Sequence, residues 1–178
     1  AYNQSAQFYY NKIINNFYNK IQFINNNDPI KNKKYFPIFI IGLPRSGSTL
    51  LESVLTSSDE GVKTCAESHV INMSILEQVS PKIYTKNFDP SKFMFEINQM
   101  KLENSVLQRY NNLNVTNKNL NLKFIDKSLE NFFNIEIIIK IFPNARFLHT
   151  FRDPIDSVIS IYQSMLPELA WTHSIKNI

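Results

Sequence analysis

Apolar and polar positions follow one another along this chain in blocks whose period changes several times. Phe8, Ile13, Phe17, Ile21 and Ile24 recur at helical spacing, which predicts an amphipathic helix within residues 5–27. The polar stretch that follows holds Asp28-Pro29 and predicts a linker ending near residue 34. Ile38 to Ile41 is an apolar run of strand length that stops at Gly42, and a second apolar run opens behind Thr49. That order predicts a strand, a short loop and a helix reaching about Ser57. Val70, Ile71, Met73, Ile75 and Leu76 predict another helix from Ser68 to about Val79. Asp89-Pro90 places a capping carboxylate before a proline, predicting a helix to about Asn111 through Phe93, Ile97, Met100, Leu107 and Tyr110. Leu122 to Ile125 reads as a buried strand, Leu129 to Phe142 as a helix, and Arg146 to Phe151 as a third strand. Asp153-Pro154 opens a further helix, Ile155 to about Met165.

Strands alternating with helices predict an α/β fold class, a P-loop-like three-layer fold with a mostly parallel sheet flanked by helices on both faces. The expected division is an N-terminal helix and linker over residues 1–34 and the α/β domain over residues 35–178. In such sheets ligands bind beyond the carboxyl ends of the strands. Arg45, Lys127 and Arg152 each follow a predicted strand end, so three cations are expected on one rim.

Composition narrows the partners. A chain of 178 residues with 43% hydrophobic and 19% charged positions suits one ordinary globular domain with a core of its own. Its net charge of +4 favours anionic ligands but is too mild and too dispersed to predict nucleic acid as a partner. No apolar run approaches the ~20 residues that span a bilayer, and no signal peptide is visible. The lone Cys65 cannot form an internal disulfide and reads as a small core residue. Together these predict a cytoplasmic protein without a membrane partner. His69, His149 and His173 are scattered without ligand spacing, so no metal is expected.

The chemistry concentrates in Gly42-Leu43-Pro44-Arg45-Ser46-Gly47-Ser48-Thr49. A glycine-bearing loop between a strand and a helix N-terminus presents backbone N–H groups and the positive end of a helix dipole to an anion. Gly42, Gly47 and Thr49 match the phosphate-loop pattern G-x-x-x-x-G-K-[ST], but Ser48 stands where that pattern has lysine. The loop's cation is Arg45 instead, which argues against an ordinary ATPase or kinase. Glu67, just ahead of a predicted helix, reads on spacing alone as a capping carboxylate.

Arg152-Asp153-Pro154-Ile155-Asp156-Ser157-Val158-Ile159-Ser160, taken with Pro44-Arg45-Ser46-Gly47-Ser48-Thr49, resembles the sulfotransferases that use 3′-phosphoadenosine 5′-phosphosulfate (PAPS). More narrowly, the chain is similar to bacterial sulfotransferases joined to tetratricopeptide repeats and to tyrosylprotein sulfotransferases. Asp126-Lys127-Ser128-Leu129-Glu130-Asn131-Phe132 resembles their D-K-x-P-x-N-F block, with Leu129 in place of proline. Phe142-Pro143-Asn144-Ala145-Arg146 and Trp171-Thr172-His173-Ser174 match further blocks. The resemblance runs from about residue 36 to the end. It implies that Ser46, Gly47, Ser48 and Thr49 cradle the 5′-phosphate and that Arg152 and Ser160 bind the 3′-phosphate. It further implies that Arg45 serves the bridging and leaving oxygens, Lys127 the transferring group, and Glu67 the acceptor proton as general base. The implied partners are PAPS, with 3′-phosphoadenosine 5′-phosphate as its product, and a hydroxyl acceptor: tyrosine, sugar or small molecule. The family continues beyond this C-terminus, so the chain is expected to be a segment of something longer that lacks part of the acceptor pocket. Two other readings fit the loop: a phosphate-loop nucleotide kinase or NTPase, which would need Mg²⁺, and a non-catalytic nucleotide-binding module.

Overall fold

A computed structural model describes residues 21–24, 34–59, 61–83, 95–116, 122–164, 166 and 175. Its main sheet has four parallel strands: β2 (Phe36–Gly42), β3 (Lys63–Thr64), β5 (Lys123–Asp126) and β6 (Arg146–Thr150), in the order β3-β5-β2-β6. A separate parallel pair joins β1 (Ile21–Ile24) to β4 (Phe95–Asn98). The helices are α1 (Ser48–Ser58), α2 (Val70–Ile83), α3 (Gln99–Asn112), α4 (Ile135–Ile141) and α5 (Pro154–Ser164).

The predicted α/β class is the observed one. From β2 the chain crosses β5 through α1 to reach β3, then travels back across the sheet to β5 and on to β6. Crossovers between parallel strands are right-handed. The outward and returning crossovers therefore set α1 on one face and α2, α3 and α4 on the other. Burial agrees. Phe39, Ile41 and Phe124 join a core with Ile71, Val106, Tyr110, Ile138 and Phe142. Ile40 and Ile125 alternate with them, are equally buried, and face the α1 side. Tyr110, Phe124 and Phe142 meet at ring separations of 4.6–6.1 Å, aromatic pairings that stabilise by ~0.5–1.5 kcal/mol each beyond their buried area.

Four boundaries differ from expectation. Ile21–Ile24, the end of the predicted first helix, is a strand. Ile-Gln-Phe-Ile alternates at period two as readily as it fits a helix, and pairing with β4 decides it. The helix predicted from Pro90 starts only at Gln99, and Ile97 lies on β4. There the Asn98 side chain accepts from the Lys101 amide at 3.0 Å and caps α3. The helix expected from Ser68 begins at Val70, because Ala66 (φ 49°) and His69 (φ 53°) are left-handed. The expected Leu129–Phe142 helix opens as a 3-10 turn, Leu129–Asn134, before α4, with the Asn131 amide bonded three residues back to the Ser128 carbonyl. Residues 5–20 of the first predicted helix, the linker's Asp28-Pro29, the Asp89-Pro90 start and Trp171–Ser174 lie outside the described residues.

Gly42 ends β2 where no side chain fits. A Cβ there would lie 2.6 Å from the Thr150 carbonyl oxygen and 2.7 Å from its hydroxyl, and its φ is +146°. The glycine thus lets β6 close directly onto the start of the loop.

Candidate active site

The rim predicted from the sequence exists, and it holds two clusters of contacts. Gly47 adopts a left-handed φ of 94° and precedes α1 without any side-chain cap. Ordinary caps occupy the orphan amides of a first turn, so α1 opens with its positive end free for an anion. Below it, Ser46 is buried, donates to the Leu43 carbonyl at 2.7 Å, and lies 2.6 Å from the Thr150 hydroxyl. Ser48 is buried as the first helical residue. The loop is therefore fastened from inside, while Arg45, Gly47 and Thr49 stay exposed.

The first cluster surrounds Lys127, whose position is fixed by register. The Cys65 amide donates to the Ile125 carbonyl and the Lys127 amide to the Ala66 carbonyl, each at 2.9 Å, extending the β3–β5 ladder past both strands. That ladder carries Glu67 to the end of β5. Lys127 Nζ lies 2.8 Å from Glu67 Oε1, 3.6 Å from Glu52 Oε2 and 3.4 Å from Thr49 Oγ1. Glu67 is thus a partner of Lys127, whose side chain is only 8% exposed. Glu52 was not singled out by the sequence reading. It sits three residues beyond Thr49, the spacing that puts both on one helix face.

In the second cluster, Arg45 Nε donates to Ser160 Oγ at 3.1 Å, joining the loop to α5. Arg152 pairs with Asp156 one turn along, Nη2 to Oδ2 at 3.5 Å, with both side chains exposed. The structure thus brings Arg45 to Ser160, whereas the contact seen for Arg152 is with Asp156.

Beneath the rim lies Asp126, fully buried and unassigned by the sequence reading. It accepts from the Tyr110 hydroxyl at 2.6 Å, the Ser128 amide at 2.8 Å, Asn131 Nδ2 at 3.2 Å and the Ser68 hydroxyl at 3.4 Å. Burial raises its carboxyl above the ordinary range, against the pull of the Tyr110 and Ser128 hydrogen bonds. Cys65 packs against the core beside it, and burial, then the Asp126 charge, pushes its thiol well up. The thiol donates to the Ile125 carbonyl at 3.0 Å.

Comparison with known proteins gives this geometry its setting. The profile described as "Sulfotransferase family" matches residues 37–178. The chain belongs to the sulfotransferase family. It is 29% identical over 129 residues to an uncharacterized protein of Aquifex aeolicus (strain VF5), a match covering 71% of this chain and 17% of that relative. The chain therefore spans about a sixth of that relative's length. The crystal structure of sulfotransferase STF9 from Mycobacterium avium matches 80% of this chain and 48% of its own, at 16% identity and a TM-score of 0.39. Among the described residues, no helix is long and apolar enough to cross a membrane.

His69 gives the site a pH-sensitive edge. Its Nδ1 bonds Glu130 Oε1, which also accepts from Asn72 at 3.2 Å. The Glu130 hydrogen bond raises its pKa above 6.5, assisted by the Glu130, Glu67 and Asp126 charges and opposed by burial. A raised histidine contributes stability that is full below its unfolded value and disappears as pH rises through the folded one. Glu130→Gln should return the His69 titration, followed by NMR, toward 6.5. Its stability deficit against wild type should be present at pH 6 and shrink as pH climbs past the wild-type value. An unmoved titration would remove Glu130 as the cause.

Proposed function

We propose that this site binds PAPS and passes its sulfuryl group in line to an acceptor hydroxyl. The observation that carries the reading is the junction of Lys127, Glu67 and Thr49 beside an uncapped helix N-terminus. A cation, a carboxylate and an anion cradle then stand together where a charged group could be transferred. In this reading Ser46, Gly47, Ser48 and Thr49 hold the 5′-phosphate, and Arg152 with Ser160 holds the 3′-phosphate. Arg45 stabilises charge on the bridging oxygen, and Lys127 stabilises it on the transferring group. The acceptor oxygen forms the new S–O bond as the donor's S–O bond breaks. The electron pair leaves on the 5′-phosphate, and the acceptor proton goes to Glu67. As in phosphoryl transfer, positioning and electrostatics supply most of the rate. The sulfuryl group carries less charge than a terminal phosphate, so the same residues serve without requiring a metal.

Two contacts of the site must change when the donor binds, and neither is costly. The exposed Arg152–Asp156 pair belongs to a class that contributes ~0–1 kcal/mol, whereas a hydrogen bond from Arg152 to a phosphate contributes ~1.5–3 kcal/mol. The phosphate therefore outcompetes Asp156. Arg45 exchanges a neutral hydroxyl for an anion in the same way.

Calorimetry with 3′-phosphoadenosine 5′-phosphate, 5′-AMP and Mg·ATP tests the donor. The 3′-phosphate should raise affinity over 5′-AMP by roughly ten- to a hundredfold without metal, and Arg152→Ala should abolish that increment. Preference for Mg·ATP would overturn the reading in favour of a kinase.

A further inference from the structure

Lys127 touches two carboxylates, and the chemistry above uses one. Glu67 lies on the loop after β3 and is 55% exposed. Glu52 lies within α1, is 12% exposed, and is held from the other side by a hydrogen bond from the Thr64 hydroxyl to its Oε1. Thr64 in turn accepts the Ala66 amide at 3.0 Å, so its hydroxyl is engaged both as donor and as acceptor. A carboxylate three residues beyond Thr49 opposes anion binding at that helix end. Its presence there needs a reason.

Charge balance supplies one. If Glu67 takes a proton or turns toward an acceptor, Lys127 loses its nearest counter-ion while remaining almost buried. An unpaired buried ammonium is strongly disfavoured. Conversely, with Glu67 as sole counter-ion, Lys127 would hold that carboxylate and be held by it. We infer that Glu52 is a positioning residue, the permanent counter-ion that keeps Lys127 directed at the space before Thr49 and leaves Glu67 free to exchange partners. This inference rests on the donor reading above. Thr64 extends it, since its hydroxyl fixes the carboxylate that fixes the lysine.

The test compares PAPS with 3′-phosphoadenosine 5′-phosphate by cold calorimetry on the full chain. The two ligands differ by the sulfuryl group that Lys127 would contact, so the ratio of their affinities reports where the lysine points. Glu52→Gln should lower the PAPS-to-product affinity ratio by about tenfold while product affinity stays near wild type. Glu67→Gln alone should leave the ratio at or above the wild-type value, because Lys127 keeps Glu52. Thr64→Val, at an exposed position, should lower it partway and supplies the readout if Glu52→Gln does not fold. An unchanged ratio in Glu52→Gln and Thr64→Val would overturn the inference, as would parallel losses for both ligands or an equal fall of the ratio in Glu67→Gln. A folded wild type that binds neither ligand would instead overturn the donor reading, and this one with it.

Discussion

Glu67→Gln is expected to slow turnover by ~10²–10⁴-fold, the usual contribution of a general base, while donor affinity is kept or modestly improved. The split follows from the contacts. Glutamine retains an oxygen that can accept from Lys127 Nζ, so the 2.8 Å hydrogen bond has a substitute. It loses only the charge and the capacity to take a proton. Glu67 is 55% exposed and Lys127 keeps Glu52, so no buried charge is orphaned and the fold should be unaffected. An anionic donor then competes with one carboxylate fewer for Lys127. Radiolabelled sulfuryl transfer to tyrosine peptides, sugars and small hydroxyl compounds would give the rate, and calorimetry the affinity. Equal losses in both would mean that Glu67 only shapes the donor site. An unchanged rate would pass the base role elsewhere, and His69, two residues on and paired with Glu130, would be examined next.

How much of this was legible in the sequence depended on the length over which a signal had to hold. The strands at Ile38–Ile41, Leu122–Ile125 and Arg146–Phe151 were readable because short runs rich in apolar and β-branched residues, bounded by Gly, Asp or Pro, suit strands. Their order then put Arg45, Lys127 and Arg152 past strand ends, and the structure has them there. Ile21–Ile24 and Phe95–Asn98 were not readable, since four residues of mixed polarity fit either period and only their mutual pairing selects a strand. The meeting of Glu67 with Lys127 lay further out of reach. It depends on a ladder continuing beyond a two-residue strand and on left-handed conformations at Ala66 and His69, which non-glycine residues rarely adopt. Glu52 was within reach, three residues past Thr49, but its use became visible only when β5 delivered Lys127 to that face. Asp126 gave no signal of its own, because a buried aspartate and a surface one look alike in a sequence until their donors are known.

Asp126→Ala is expected to cost ~3–6 kcal/mol, a large share of the ~5–15 kcal/mol that holds a domain together. The substitution would strand the Tyr110 hydroxyl, the Ser128 amide and the Asn131 side chain, all buried. Each buried donor left without a partner costs ~1–3 kcal/mol. Asp126→Asn should be milder, since its amide oxygen still accepts two of these bonds, but its NH₂ would face a third donor. Burial makes the pH signature run opposite to that of a salt-bridged carboxylate. The folded-state pKa is raised above the ordinary 3.8, so the native protein holds that proton to higher pH than the unfolded chain does. This group's contribution therefore falls as pH rises from about 3.8 to the folded value, and Asp126→Asn should remove that fall. Denaturant titrations across that range would show it. The site should feel the loss as well, because Ser128 accepts the His69 amide at 2.9 Å and Lys127 is the next residue along. A folded Asp126→Asn protein should thus bind donor with the Lys127 increment weakened and the 3′-phosphate increment intact. Uniform weakening of both would show that Asp126 supports the sheet as a whole and not the lysine's end of the rim.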